Sequence, residues 1–349
     1  MAYTTIDKPS DYFNTKLYTG DASSSRDITG VGFQPDFTWI KDRDGGFSHI
    51  LGNVVSGNNK FLVSSASSAE STDSTKFRTF VSDGFQVGNH NGVNANSNNY
   101  ASWNWKANGA GVANTDGSIS STVSANTTSG FSIGTYTGNA TNNATVGHGL
   151  SSAPQMIIVK QLGSGGDNWQ VYWNDGTERN GFLNLTNAFN TPAATQQWGD
   201  NAPTSSVFTL GSDTATNVAG NLVFYAFHSV QGYSKFSSYT GNGNDNGTFV
   251  YTGFKPAFVL VKRADATGNW SLIDNTRDPF NVTYHFLQPN VNDAEFIPSG
   301  PQAAFDFCSQ GFKCRSTNGS INASGSTYIY MAFAEAPLVG SNNVPCTAR

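Results

Sequence analysis

The chain has 349 residues, of which 12% are charged, and its formal net charge is −5 at pH 7. A chain with so few charges has little basic surface with which to neutralise a phosphate backbone, so its composition argues against nucleic acid as a partner. Aromatic residues make up 13% of the chain, and it is rich in the Gly and Asn that tight turns require, which together favour an all-β fold.

The amino terminus, residues 1–16, contains no continuous apolar run. We therefore expect neither a secretory signal nor a membrane span, and we expect synthesis in a cytoplasm. Three cysteines without a C-x-x-C pair predict neither a disulfide framework nor a zinc site. Cys308 and Cys314 flank a short turn and would be the pair to bridge, although thiols in a cytoplasm are usually reduced.

Three similar stretches indicate that the chain is an internal triplicate. In each stretch, a proline is followed by an apolar run that ends in lysine. A Tyr-Thr-Gly precedes each stretch. An aromatic strand follows roughly seventy to ninety residues later, and a period near a hundred residues suits a complete small domain. The three stretches are 32–41, 150–160 and 253–262, and the aromatic closing strands are 100–106, 222–228 and 328–334.

The repeats predict three tandem antiparallel β-sandwich modules of jelly-roll or concanavalin-like type. A connector rich in Gly, Ser, Thr and Asn separates the first two, with one strand expected at 118–123. Because the second and third modules abut, we expect a rigid second-third pair and a more independent first module. The predicted divisions are modules 1–107, 130–229 and 230–336, the connector 108–129 and a tail 337–349.

Apolar patterning distinguishes the strands within a module. The run after the proline is apolar on consecutive residues, which indicates a strand covered on both faces. The closing strand of the first module alternates, so Ser102, Asn104 and Lys106 are expected to form a polar face. The closing strand of the third module, 328–334, is apolar on both faces, which favours packing on a neighbour.

Lys41, Lys160 and Lys262 end the same strand in each copy. We interpret them as solvated strand ends, since a lysine at an exposed strand discourages edge pairing. The functional alternative makes them contacts to a receptor.

Tryptophans beside amide and carboxylate side chains are candidate sugar platforms, because a ring face contacts the sugar while polar groups bond its rim. Trp169 and Trp270 occupy matching places in two copies, so we interpret these two as core residues that pack within the modules. Trp173 is a further candidate for a sugar platform. Trp198 lies in a loop without a counterpart and is the better ligand candidate.

Titratable residues give no catalytic or metal constellation in the sequence. The five histidines are scattered over different modules, without the spacing of metal ligands or of a nucleophile and its base. Acids cluster at 42–44 and at 274–278, where calcium binding and sugar hydrolysis by paired carboxylates are alternatives. Salt bridges with Arg43 or Arg277 are the favoured interpretation.

Several longer matches resemble the tail-fibre or appendage proteins of marine bacteriophages. They cover almost the whole chain and include the connector segment 123–128 and the Thr-Ala-Arg end at 347–349. The resemblance implies a virion structural protein of concanavalin-like or SPRY-like sandwich type and transfers no catalytic residue. The matches are Tyr-Phe-Asn-Thr-Lys-Leu-Tyr-Thr-Gly at 12–20, Gly-Phe-Gln-Pro-Asp-Phe-Thr-Trp-Ile-Lys at 32–41, Gly-Phe-Lys-Pro-Ala-Phe-Val-Leu-Val-Lys at 253–262 and Tyr-Ile-Tyr-Met-Ala-Phe-Ala-Glu at 328–335.

We therefore expect a non-enzymatic bacteriophage structural protein without cofactors, a tail fibre or tail-associated appendage on the virion. Its expected partners are other virion proteins and a host surface glycan or receptor, and a homotrimer is the favoured oligomer. A capsid-bound decoration protein is the first alternative. A polysaccharide depolymerase, which needs two facing carboxylates in a groove, is the second.

Overall fold

A computed structural model describes residues 3–163, 165–191, 196–297, 304–340 and 345. Among these residues the chain is almost entirely β, with strands in six antiparallel sheets and only short helices. The expected all-β class is thus confirmed. None of the helices in the described part of the chain is long and apolar enough to span a membrane.

The first repeat, up to residue 107, forms one large sheet and one small sheet. The large sheet has the strand order β1-β9-β3-β4-β5-β6 and the small sheet the order β2-β8-β7. A 3₁₀ turn at Pro9–Asp11 precedes them. In chain order the elements are β1 (Phe13–Thr19), β2 (Arg26–Thr29), β3 (Phe37–Asp42), β4 (Ile50–Asn53), β5 (Lys60–Val63), β6 (Ser71–Thr72), β7 (Phe77–Val81), β8 (Gly84–Val87), α1 (Asn91–Asn94) and β9 (Asn99–Trp105).

The second repeat extends to residue 229 and has the same plan. Its large sheet has the order β10-β11-β12-β18-β14-β15-β16, and β13 pairs with β17. The elements are β10 (Val112–Asn114), β11 (Ser121–Asn126), β12 (Phe131–Thr137), β13 (Thr145–Gly147), β14 (Met156–Gln161), β15 (Gln170–Asn174), β16 (Glu178–Phe182), β17 (Val207–Thr209), α2 (Thr214–Asn217) and β18 (Asn221–Phe227).

The third repeat, from residue 230, has the large sheet β19-β25-β21-β22 and the small sheet β20-β24-β23. The elements are β19 (Ser234–Thr240), β20 (Phe249–Tyr251), β21 (Phe254–Arg263), β22 (Trp270–Asp274), β23 (Phe305–Cys308), β24 (Gly311–Cys314) and β25 (Thr327–Pro337). Cys308 and Cys314 lie on the hairpin of β23 and β24, and both are free thiols.

The predicted connector 108–129 is part of the second large sheet. It holds two strands, and β11 pairs along its length with β12. The single strand expected at 118–123 begins instead at Ser121. The reason is that the polar segment follows the edge of an existing sheet, whose ladder satisfies its backbone groups.

Each large sheet is buried on both faces. One face packs on the small sheet of its own repeat and forms a separate apolar cluster with it. The other faces of all three large sheets meet in one shared core. The six residues of β3 and of β14 are all buried, as expected for a strand that is covered on both sides.

Aromatic rings join the three repeats inside the shared core. Phe13 of the first repeat stacks on Phe333 of the third at 4.8 Å between ring centroids. Phe37 of the first lies 4.6 Å from Tyr225 of the second, and Phe227 of the second lies 6.3 Å from Phe333. The prediction of a more independent first repeat is therefore wrong, because its large sheet supplies one wall of a core that all three repeats build.

Two expectations about the closing strands need correction. Ser102 and Asn104 are fully buried, and the Asn104 amide accepts from Thr38 Oγ1 (2.9 Å) and donates to the Asn14 carbonyl (3.1 Å). They form an internal polar pair, so this face of the strand is not solvated. In β25, Phe333 faces the shared core and Tyr330 the small-sheet cluster, so its two apolar faces are buried within the chain and imply no neighbouring molecule.

Because Phe333 contacts rings from all three repeats, we predict that Phe333→Ala destabilises the whole chain by about 3–5 kcal/mol. Urea unfolding followed by tryptophan fluorescence and by circular dichroism measures this loss, and both signals should move together. Phe280→Ala, the same change at a residue 80% exposed, is the control and should shift stability by less than about 0.5 kcal/mol. A separate early transition confined to the third repeat would contradict a shared core.

Candidate functional site

The three repeats close into a ring through one backbone contact that recurs at each junction. We call the junction of repeats one and two the first seam, that of two and three the second seam, and that of three and one the third seam. The N–H of Glu70 donates to the Leu162 carbonyl (3.1 Å) across the first seam. The equivalent bonds are Phe189 N to Ala264 O (2.8 Å) across the second and Glu295 N to Arg43 O (2.8 Å) across the third.

The three repeated lysines belong to these seams and are not solvated. Lys41, Lys160 and Lys262 are fully buried at the end of the shared core. Lys160 Nζ donates to the Ser67 carbonyl of the first repeat at 3.1 Å, and Lys262 Nζ donates to the Thr186 carbonyl of the second at 3.2 Å. The expected solvated strand end is thus wrong, because the preceding repeat covers each strand end with a loop.

Burial is the main reason that the pKa of each of these lysines is lowered to about 8. At Lys41 the nearby carboxylates of Asp42, Asp293 and Glu295 oppose that shift, two of them from the third repeat. The lysines therefore cap backbone carbonyls inside the protein, which leaves them no access to a receptor.

Trp169 and Trp270 confirm the interpretation as packing residues. Both are buried, and each indole N–H crosses a seam: Trp169 Nε1 donates to the Val63 carbonyl (2.9 Å) and Trp270 Nε1 to the Phe182 carbonyl (2.9 Å). Strand registers place His49 at the same position in the first repeat. Burial lowers the pKa of His49 well below its ordinary value, and its ring faces the Gln288 backbone of the third repeat.

Trp173 and Trp198 are also core residues. Trp173 is fully buried, and its ring lies 6.1 Å from that of Phe236 across the second seam. Trp198, our sequence-based ligand candidate, is only 5% exposed and packs between Tyr172 and Phe208. Its indole N–H donates to Asn180 Oδ1 at 2.7 Å. Because the side chain is buried, the ring offers no platform for a sugar, and Trp198 is a core residue and not a ligand-binding one.

The acidic clusters form structural ion pairs, in part as expected. Arg277 Nε lies 2.5 Å from Asp274 Oδ2 with both side chains fully buried, and Trp103 Nε1 also donates to that oxygen (3.1 Å). Arg43 instead pairs with Glu295 across the third seam, at 2.6 Å. Glu295 also binds Arg277 Nη1 at 2.8 Å, so two arginines hold one carboxylate.

Three of the histidines make structural contacts within their own repeats. His148 is buried and accepts from the Leu150 N–H (3.1 Å), and burial lowers its pKa to about 4. His90 caps α1, and His285 pairs with Asp278 at 2.5 Å. Within the described residues, no three His, Cys, Asp or Glu side chains come together as a metal site would require.

A cavity of about 390 Å³ opens at the first seam. The Glu70 side chain is 9% exposed, and its Oε2 lies 3.2 Å from Lys60 Nζ. Its other oxygen, Oε1, is buried without a hydrogen-bond partner among the described residues, and so is Ser56 Oγ. The lining residues are Val55, Ser56, Lys60, Glu70, Ala113, Ser120, Ser121, Thr122, Thr135, Tyr136, Thr137, Leu162 and Asn221.

The third seam shows what fills the corresponding space elsewhere. Glu70 and Glu295 hold the same backbone position, and so do Leu162 and Arg43, because each pair makes the equivalent seam bond. Ser56 corresponds to Arg277, since each donates its N–H to the side-chain oxygen three residues before it. At the first seam, Leu162 and Ser56 thus take the places of the two arginines that bind Glu295. The first seam is therefore open where the third seam is filled.

The sequence patterns did not single out Glu70 or Glu295, because the three repeats resemble one another mainly in their apolar stretches. A weak signal for them exists. Both glutamates follow an alanine, and Phe189 follows Ala188 at the matching place in the second repeat. Only the seam bonds show that these dipeptides are equivalent.

Comparison with known proteins gives one family. The family model described as a domain of unknown function (DUF7483) matches residues 8–337, which include the strands of all three repeats. No curated protein matches the chain.

The buried lysines contribute to the free energy of unfolding a part that rises with pH between about 8 and 9.5. The folded pKa of each is near 8 and the unfolded value near 10.5, so the unfolded chain binds more protons in this window. The raised pKa of Cys314, about 12 against an ordinary value of 9.0, acts in the opposite direction from about pH 9, and raised tyrosine pKa values do so from about pH 10. Lys160→Met should therefore reduce the slope of unfolding free energy against pH by up to about 1.4 kcal/mol per pH unit, the value for one proton.

Chemical denaturation at a series of pH values tests this slope. Lys8→Met is the matched control, because the Lys8 side chain is 71% exposed, and its slope should equal that of the wild type. Equal slopes for the wild type and Lys160→Met would show that Lys160 titrates in the folded protein as it does in the unfolded chain.

Proposed function

We propose that this chain, which belongs to the family described as a domain of unknown function (DUF7483), is a non-enzymatic structural protein of a bacteriophage particle. In this proposal it is displayed on the virion as a tail fibre or tail-associated appendage and contacts the host surface. Its three repeats are sandwich modules of jelly-roll or concanavalin-like type. Other virion proteins hold it in place, and further copies of the chain assemble with it as a homotrimer.

The observation that carries the proposal is the ring of three repeats around one core. Each repeat contributes a wall of the core and a loop that covers the next repeat, so the chain forms one cooperative block. A protein displayed in many copies outside a cell benefits from such a block, because local opening exposes chain to proteolysis. The resemblance to phage appendage proteins supports the same role.

The ion pairs and hydrogen bonds of the titratable groups also favour a structural role. Arg43 pairs with Glu295, Arg277 pairs with Asp274 and Glu295, and the three lysines bind backbone carbonyls. Only 12% of the residues are charged, and this low share suits a saline medium, where charges are screened within a few ångströms. Affinity for the host would then come from many copies acting together.

We predict that this chain is found at the distal tail of phage particles whose genome encodes it. Cryo-electron microscopy of intact particles, with the chain built into the density, measures its place, and antibodies against it should block adsorption. Density on the capsid shell, with adsorption unaffected, would favour a decoration protein instead. Release of reducing ends from host capsule polysaccharide by the purified chain would contradict the non-enzymatic assignment and favour a depolymerase.

A further inference from the structure

We propose that the cavity at the first seam binds a neutral saccharide. This inference rests on the proposed function for the source of the sugar, and it deepens that function, because host contact would then be made through a surface glycan. Three features of the cavity carry it: an unpaired buried carboxylate oxygen, a lining of hydroxyl groups and a balanced charge.

The carboxylate is the strongest of the three. Glu70 Oε1 is buried and lacks a hydrogen-bond partner in the described part of the chain, whereas both oxygens of Glu295 at the equivalent position bind arginine. A buried acceptor without a partner costs roughly 1–3 kcal/mol, and a ligand donor bonded to it would offset that cost. A sugar hydroxyl would donate to this oxygen.

The wall opposite Glu70 is rich in hydroxyl groups. Beyond the shared core the second large sheet continues outward, where Thr122 of β11 stands across from Thr135 of β12. Ser56, whose Oγ also lacks a partner among the described residues, lies on the near side of the cavity. Hydroxyls both donate and accept, which matches the alternating donors and acceptors of a sugar. The Asn221 amide oxygen already accepts from Thr137 Oγ1 (2.9 Å), so its contribution is the amide N–H donors.

Charge and size narrow the ligand class. Lys60 and Glu70 form an ion pair, so the lining carries no net charge and favours a neutral ligand over an ionic one. Val55 and Leu162 offer apolar contact to the C–H face of a sugar ring. A volume of about 390 Å³ lies within the range of small-molecule sites and accommodates a mono- or disaccharide. The Lys60 side chain, which is 42% exposed, also lines the cavity.

Saturation-transfer difference NMR on the full chain tests the proposal with glucose, galactose, mannose, N-acetylglucosamine and disaccharides of each. We expect at least one of them to bind the wild type. Glu70→Gln, which replaces an acceptor oxygen, should raise the dissociation constant by about tenfold or more, since it loses a charge-assisted hydrogen bond. Thr135→Trp, which fills the cavity, should abolish binding.

The control is Glu178→Gln, the same substitution beside the smaller cavity of about 220 Å³ at the second seam, and it should leave the affinity unchanged. Thermal melting of each variant verifies that it is folded. If no sugar of the panel binds the wild type, or if Glu70→Gln and Thr135→Trp bind as the wild type does, the proposal is wrong. Binding of arginine methyl ester in place of the sugars, lost in Glu70→Gln, would overturn it in favour of a cationic ligand.

The two proposals fail separately. A chain located at the phage tail that binds no sugar leaves the proposed function standing and removes only the saccharide site. A chain that binds sugar through Glu70 but is absent from the particles retains the site and loses the virion role.

Discussion

The structure depends on the burial of three large sheets on both faces. A sheet that packs on only its own small sheet would leave an apolar inner face in water, and the hydrophobic cost of that face makes an isolated repeat unstable. Three such faces cover one another only if the repeats close into a ring, because each needs two neighbours. Ring closure is therefore a consequence of the consecutive apolar residues in strands such as β3, β14 and β21.

Backbone and side chains have separate roles at the seams. The bond from residue 70, 189 or 295 to the next repeat uses only main-chain atoms, so it survives sequence divergence between the copies. The side chains around it then differ: an arginine pair on a carboxylate at the third seam, Phe189 against Ala264 at the second and an open polar cavity at the first. Because the backbone geometry is the same at each seam, a change of side chains is enough to place different chemistry at equivalent sites.

The triplication, the β class and the doubly covered strands could be predicted from local patterns, since apolar periodicity and turn residues report on nearby structure. Lys160 and Trp198 could not be placed in this way. The burial of a strand-end lysine depends on a loop some ninety residues earlier, which covers it with the Ser67 carbonyl. Trp198 is enclosed by Tyr172 and Phe208, and sequence does not show that a loop folds back onto its own sheet. Glu70 is a candidate only by comparison with Glu295, which requires the seam itself.

A site at a seam is tied to the fold in a way that a site within one repeat is not. The walls of the first-seam cavity come from two repeats, Glu70 and Ser56 on one side and Thr135 and Asn221 on the other, so the site exists only when the ring is closed. Any ligand held there binds the folded chain and not the unfolded one, and it must then stabilise the ring as a whole. Because the shared core couples the repeats, this stabilisation reaches the second and third seams, which contact no ligand. The chain with the ligand bound is therefore more resistant to opening than the free chain.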